Sequence, residues 1–170
     1  SGLFWVTVMF VAIMAVQRST AVEVTDGARR GLLLAGIEPV AVFVGKTVAI
    51  AAQLLVVQVI LVAGVIVLYG ASVDQWVLLL VTCLVATVGI AASGSLLGAL
   101  VAGVRARETV LPILLLPILA PVLIGATRAF DDALGSVAVD GWAWLGLLAS
   151  FGAINLVLGA LAYGVLLEEI

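Results

Sequence analysis

Catalysis needs a nucleophile beside a base, and a metal centre needs a set of clustered ligands. This sequence offers neither. It contains no histidine, which removes His-based metal sites, His general bases and His ligation of haem iron from its own chemistry. Its one cysteine, Cys83, excludes an internal disulfide and lies in an apolar run, where a reduced thiol packs as a small hydrophobe. Serines and threonines occur within the long apolar stretches, yet no Asp, Glu or His lies there to activate a hydroxyl. Nothing resembles a G-x-x-x-x-G-K-[ST] phosphate loop. No catalytic residue, metal ligand or cofactor site is therefore expected in this chain.

The elements that carry these residues are membrane helices. Hydrophobic residues make up 65% of 170 positions and charged residues 10%, against about 25% charged in an ordinary soluble domain. The net charge of -3 and the lack of a basic stripe point away from nucleic acid. A hydrocarbon core of about 30 Å takes about 20 apolar residues of helix. Five segments approach or exceed that, at about 2–16, 47–69, 76–104, 109–127 and 142–167. Barrel strands would alternate apolar and polar residues over about 10 positions, whereas these runs are continuously apolar. The fold class expected is an all-α polytopic membrane protein, one transmembrane domain over 1–170. Ser1 opens directly into an apolar segment, without an initiator Met or a basic leader. The reading is a fragment with five spans out of six in the full chain.

The connections between spans set the orientation. The first, 17–46, holds Arg18, Arg29, Arg30 and Lys46, and the third holds Arg105 and Arg107, six cations in all. The second holds only Asp74, and the fourth sets Asp131, Asp132 and Asp140 against Arg128 alone. The positive-inside rule places the first and third connections in the cytoplasm. Ser1 is then extracytoplasmic and Ile170 cytoplasmic. Trp5, Trp76, Trp142 and Tyr69 fall near the outer ends of spans, as interfacial aromatics should.

Within the spans three features stand out. Gly89/Ser93 and Gly94/Gly98 are each four apart on the third span, so small faces recur and let a neighbouring helix approach. They serve either a moving interface or ordinary close packing. Pro112, Pro117 and Pro121 each remove a backbone donor from the fourth span, which is expected to be kinked or broken. It either lines a path or shows only the tolerance of membrane helices for proline. Gln53, Gln58 and Asn155 are uncharged polar groups suited to holding helices together. No ionisable acid or base sits at the centre of any span, which disfavours proton coupling.

The first connection carries the most information. Asp26-Gly27 is a turn signal, Arg29 and Arg30 precede the apolar Leu32 to Leu34, and Glu38-Pro39 has the form of a helix start. A short helical element with one apolar side is expected there, either a surface-lying connector or a docking element for a cytoplasmic subunit.

The order Glu23, Asp26-Gly27, Leu32 to Leu34, Pro39 and Gly45-Lys46 between two spans resembles the coupling segment of type-2 ABC exporter permeases. The stretch from Val101 to Ala129, with its Leu116-Pro-Ile-Leu-Ala-Pro-Val-Leu-Ile124 run, is similar to the haem exporter protein B permeases of cytochrome c maturation. Val139-Asp140-Gly141-Trp142 and Gly2-Leu-Phe-Trp5 fit the same family, and the likeness covers essentially the whole chain. The family's Arg-Gly-Gly after the third span is replaced by Arg105-Ala-Arg107, and Asp26-Gly27 is followed by Ala-Arg-Arg. These departures bear on contact with the ATPase more than on the fold.

The resemblance implies a permease in the inner (cytoplasmic) membrane. It implies ATP hydrolysis by a separate ATP-binding subunit in two copies, and haem carried by a haem-handling membrane subunit and a haem chaperone. Coupling would fall on Glu23, Asp26, Gly27, Arg29, Arg30, Glu38, Pro39, Lys46, Arg105 and Arg107. Packing or gating would fall on Gly89, Ser93, Gly94, Gly98, Pro112, Pro117 and Pro121. A type-2 permease for a lipid, polysaccharide or drug and a non-transporting membrane scaffold are the competing readings.

Overall fold

In a bilayer every backbone N–H and C=O must find its partner inside the chain, so long apolar segments become helices. The computed structural model describes residues 1–24, 31 and 34–168, with backbone alone for Glu23, Val24 and 166–168. The described residues form five long helices: α1 Gly2–Val24, α2 Pro39–Tyr69, α3 Trp76–Val101, α4 Arg107–Ala133 and α5 Gly141–Glu168. At ~1.5 Å per residue they run from about 35 to about 47 Å, more than a ~30 Å hydrocarbon core requires. All five are long and apolar enough to cross a membrane.

The helices at the first connection extend further than the apolar runs. α1 continues through Gln17 and Arg18 to Val24. α2 begins at Pro39 with Glu38 extended before it, and continues unbroken past Lys46 to Tyr69. Residues 39–46 are therefore no separate surface element. They are the first two turns of the membrane helix.

α3 is the central helix. It packs against each of the other four, and 67% of its apolar stretch is buried against 17% of that of α2. Its composition explains this: Ala86, Gly89, Ala91, Ala92, Ser93, Gly94, Ser95 and Gly98 are all buried, and small side chains let neighbours come close. The outer surface is apolar, with Val48, Val56, Val59, Ile60, Val67 and Leu68 of α2 all exposed. An apolar exterior of this extent is suited to lipid.

The end bearing Asp74, Asp131, Asp132 and Asp140 is closed by backbone and carboxylate bonds. Asp74 and Gln75 donate their N–H groups to Ala133 O at 3.0 and 3.1 Å. α4 stops in a paired motif, with Gly135 N–H on Asp132 O and Ser136 N–H on Asp131 O. That geometry puts Gly135 at φ 64, and the Asp74 carboxylate lies against its face where any side chain would stand. Asp140 accepts from Ala143 N–H at 3.2 Å as the cap of α5, and Asp132 accepts from Gly141 N–H at 3.0 Å. These carboxylates thus close helix ends and join loops.

Of the four aromatics assigned to the membrane interface, Tyr69, Trp76 and Trp142 are exposed and Trp5 is buried. Trp5 meets Phe4 and Phe130 edge-on at 5.2 and 6.0 Å, while Phe4 stacks on Phe130 at 4.7 Å. Position near a helix end could not separate a belt residue from one that ties α1 to α4.

Candidate functional site

The cations Arg18, Lys46, Arg105 and Arg107 gather at one end of the bundle, where α1 ends and α2 and α4 begin. Arg18 and Arg105 are exposed, Arg107 is half-buried, and Lys46 is only 7% exposed. Glu38 is exposed and Pro39 half-buried at the start of α2. Glu23 lies in the last turn of α1. Asp26, Gly27, Arg29 and Arg30, proposed as coupling residues, fall outside the described residues.

Two open clefts flank α1 at this basic end. One, about 310 Å³, lies between α1 and α4 and is bordered by Gln17, Arg18, Arg107 and Glu108. The other, about 510 Å³, lies between α1 and the start of α2 and is bordered by Ser19, Val22, Ala41, Gly45 and Lys46.

Between the clefts, α1 sits on the small-residue face of α3. The space beside Gly94 is filled by Val16, and a Cβ on Gly98 would come within 2.6 Å of Thr20 Oγ1 and 3.6 Å of Lys46 Nζ. Val16 and Thr20 are one turn apart on α1, as Gly94 and Gly98 are on α3, so the two pairs interlock. The Thr20 hydroxyl donates to Val16 O at 2.8 Å, and the Thr47 hydroxyl of α2 donates to Ser95 Oγ at 3.2 Å. A coupling candidate, Lys46, and a packing candidate, Gly98, are thereby brought together. Thr20 and Val16 completed the arrangement without any signal of their own in the sequence.

Gly89 and Ser93 serve a different contact. A Cβ built on Gly89 would lie 3.6 Å from Gly152 Cα of α5, and one built on Gly152 would lie 3.7 Å from Gly89 Cα. The two helices cross backbone to backbone, and the Ser93 hydroxyl turns back to Gly89 O at 2.8 Å. One face of α5 carries Gly152, Gly159 and Tyr163, and Phe43 of α2 packs onto Gly159 and lies 5.4 Å from the Tyr163 ring. Gly152 and Gly159 were missed, though their seven-residue spacing marks a shared helix face.

The prolines do not break α4, which runs uninterrupted through all three. Pro117 and Pro121 are exposed on its outer face and Pro112 is half-buried. Their cost is a lost donor four residues later than each affected carbonyl. For Pro112 that carbonyl is Glu108 O, and Gln17 Nε2 of α1 donates to it at 2.9 Å. The side chain of one helix supplies what the proline removed from another.

A double-mutant cycle tests this substitution of donors. Gln17→Ala should cost about 1 kcal/mol of unfolding stability by leaving the Glu108 carbonyl without its partner. In a Pro112→Ala background, where residue 112 regains an N–H, the same change should cost close to nothing. Equal costs in both backgrounds, measured by thermal unfolding in detergent, would refute the pairing.

Deeper in the bundle the Thr87 hydroxyl has Cys83 O at 2.6 Å and Gln58 Oε1 at 3.1 Å within reach of its single O–H, and the Gln58 contact joins α2 to α3. Asn155 donates to Phe151 O within its own helix, and Gln53 is exposed on the outer face of α2. Among the described residues no cluster of three or more His, Cys, Asp or Glu could hold a metal. Among the described residues the arrangement is one of close helix crossings, with no reacting groups gathered at a centre.

In comparison with known protein families, the family model described as CcmB protein matches residues 1–169. Comparisons with curated proteins and with solved structures returned no match.

Proposed function

The chain belongs to the CcmB protein family, a haem-export permease component of an ABC transporter for cytochrome c maturation, and we propose that it couples ATP hydrolysis by a cytoplasmic partner to haem export or to release of the haem-loaded chaperone. The family match along 1–169 carries this reading. It is supported by five helices able to cross a membrane and by a chain without a phosphate-binding loop or histidine. ATP is then bound by the partner subunit, present in two copies, and haem is held by a haem-handling membrane subunit and chaperone. The permease itself performs no chemistry.

The basic end faces the cytoplasm of the inner membrane in this reading, following the six-to-one distribution of cations between alternate connections. The ATPase docks on the connection between α1 and α2, with Glu38, Pro39, Arg105 and Arg107 beside it. Force applied there enters the membrane directly, because α1 and α2 are continuous from the connection inward. It shifts Val16 and Thr20 across the Gly94/Gly98 face of α3, where two packings exchange as a small helix shift.

Affinity purification of the chain from its native membrane in mild detergent tests the proposal, with mass spectrometry and a haem absorption spectrum on the eluate. An ATP-binding subunit together with haem-handling partners is expected. An ATPase without them would retain the permease and move the cargo to another class, such as a lipid or polysaccharide. Recovery with no ATPase would overturn the coupling mechanism.

A further inference from the structure

The cleft between α1 and α4 has the makings of a ligand site distinct from the α1–α2 connection on which the ATPase docks, with Arg107 at its edge. Two arginines border it from different helices, Arg18 on α1 and Arg107 on α4, with Glu108 as the single carboxylate among them. Arg107 is also the first residue of α4, where the helix dipole already presents positive charge and favours an anion. The local balance leaves one positive charge uncompensated by the groups bordering the cleft.

Below the charged rim the walls turn apolar. Met14 and Leu111 border the cleft itself. Arg18, Met14 and Phe10 follow one another at four-residue spacing on α1, and all three are exposed. On α4, Ile113 and Leu114 are exposed about two turns inward from Arg107. Cation at the bundle end and an exposed apolar lane running inward is the order of a phospholipid, headgroup first and chains after. A free anion would have no use for the lane.

We propose that this cleft binds the phosphate headgroup of an anionic phospholipid, with Arg18 and Arg107 as counter-charges and Met14 and Phe10 alongside its acyl chain. Basic pockets between membrane helices near one interface suit such headgroups. The proposal rests on the helices spanning a bilayer and is independent of the cargo, so it stands or falls apart from the haem reading.

The test uses the full chain, delipidated in detergent, and follows its thermal midpoint and native mass spectrum on titration with dioleoylphosphatidylglycerol, dioleoylphosphatidylcholine or inorganic phosphate. The phosphatidylglycerol should remain bound and raise the midpoint, while phosphatidylcholine and inorganic phosphate should not. Arg18→Gln and Arg107→Gln should each weaken phosphatidylglycerol binding by about fivefold, and Arg128→Gln, at the opposite end, should leave it unchanged. Arg18 is exposed whereas Arg107 is half-buried, so R18Q remains informative if R107Q does not fold. Equal binding of phosphatidylcholine, or unchanged affinity in R18Q, would overturn the site. An inorganic phosphate effect matching that of the lipid would overturn the lipid as its occupant.

Discussion

Gly159→Ala is expected to destabilise the bundle by about 3 kcal/mol, the upper part of the range for forcing a group into a packed site. The Phe43 ring lies against Gly159 so closely that its atoms occupy the place a methyl group would take. Phe43 is buried at 1% exposure and its ring also lies 5.4 Å from Tyr163, one turn further along the same face of α5, so it is held in a packed site. α2 must move away from α5 or the ring must leave its rotamer. Phe43→Leu in the same chain should recover much of the loss, because a shorter side chain makes room for the methyl. The reference is Phe43→Leu alone, which forfeits packing contacts and should be modestly destabilising. Unfolding followed by intrinsic fluorescence in detergent reads all three, and a Gly159→Ala variant as stable as the parent would show that the contact yields.

That contact also shows where sequence reading stopped. Five helices were legible because runs of apolar residues far longer than a strand leave no other way to satisfy the backbone in lipid. Their ends were not. The apolar runs at 2–16 and 47–69 stop at Gln17-Arg18 and start after Lys46, and hydropathy alone marks only the apolar part of a helix. Nothing between Gln17 and Val24 breaks a helix, and Pro39 starts one, so both helices extend beyond the apolar core. Small-residue spacing identified Gly94 and Gly98 as a seat but could not name Val16 and Thr20 as what sits there. Which helix faces which is decided by packing between segments about 78 residues apart, 98 − 20, and one sequence holds no direct record of it. For the prolines, chemistry indicated a lost hydrogen bond correctly, yet exposure on the outer face and repair by Gln17 depend on the neighbouring helix.

The Gly98 seat leads to the second large effect, on function as well as stability. Gly98→Ala places a methyl 2.6 Å from Thr20 Oγ1 and 3.4 Å from Val16 Cγ1, which pushes α1 away from α3 and should cost about 2 kcal/mol. Gly89→Ala adds the same methyl group at 3.6 Å from Gly152 Cα, ordinary contact distance, and should cost well under 1 kcal/mol. Two glycines on one helix, equally small and equally buried, are thus expected to differ because one faces a filled seat and the other a crossing with room for a methyl. Thr20→Ala removes the clashing oxygen and should rescue Gly98→Ala, while doing nothing for a loss caused elsewhere on α3. If α1 must slide over this seat for coupling, Gly98→Ala should lower ATP-dependent cytochrome c maturation in cells more than its stability loss accounts for, at matched protein levels. The rescued pair, with the α1–α3 spacing restored, should recover that activity. Recovery of stability without activity would place the coupling movement on another helix pair, with Phe43 and Gly159 the next crossing connected to the α1–α2 link.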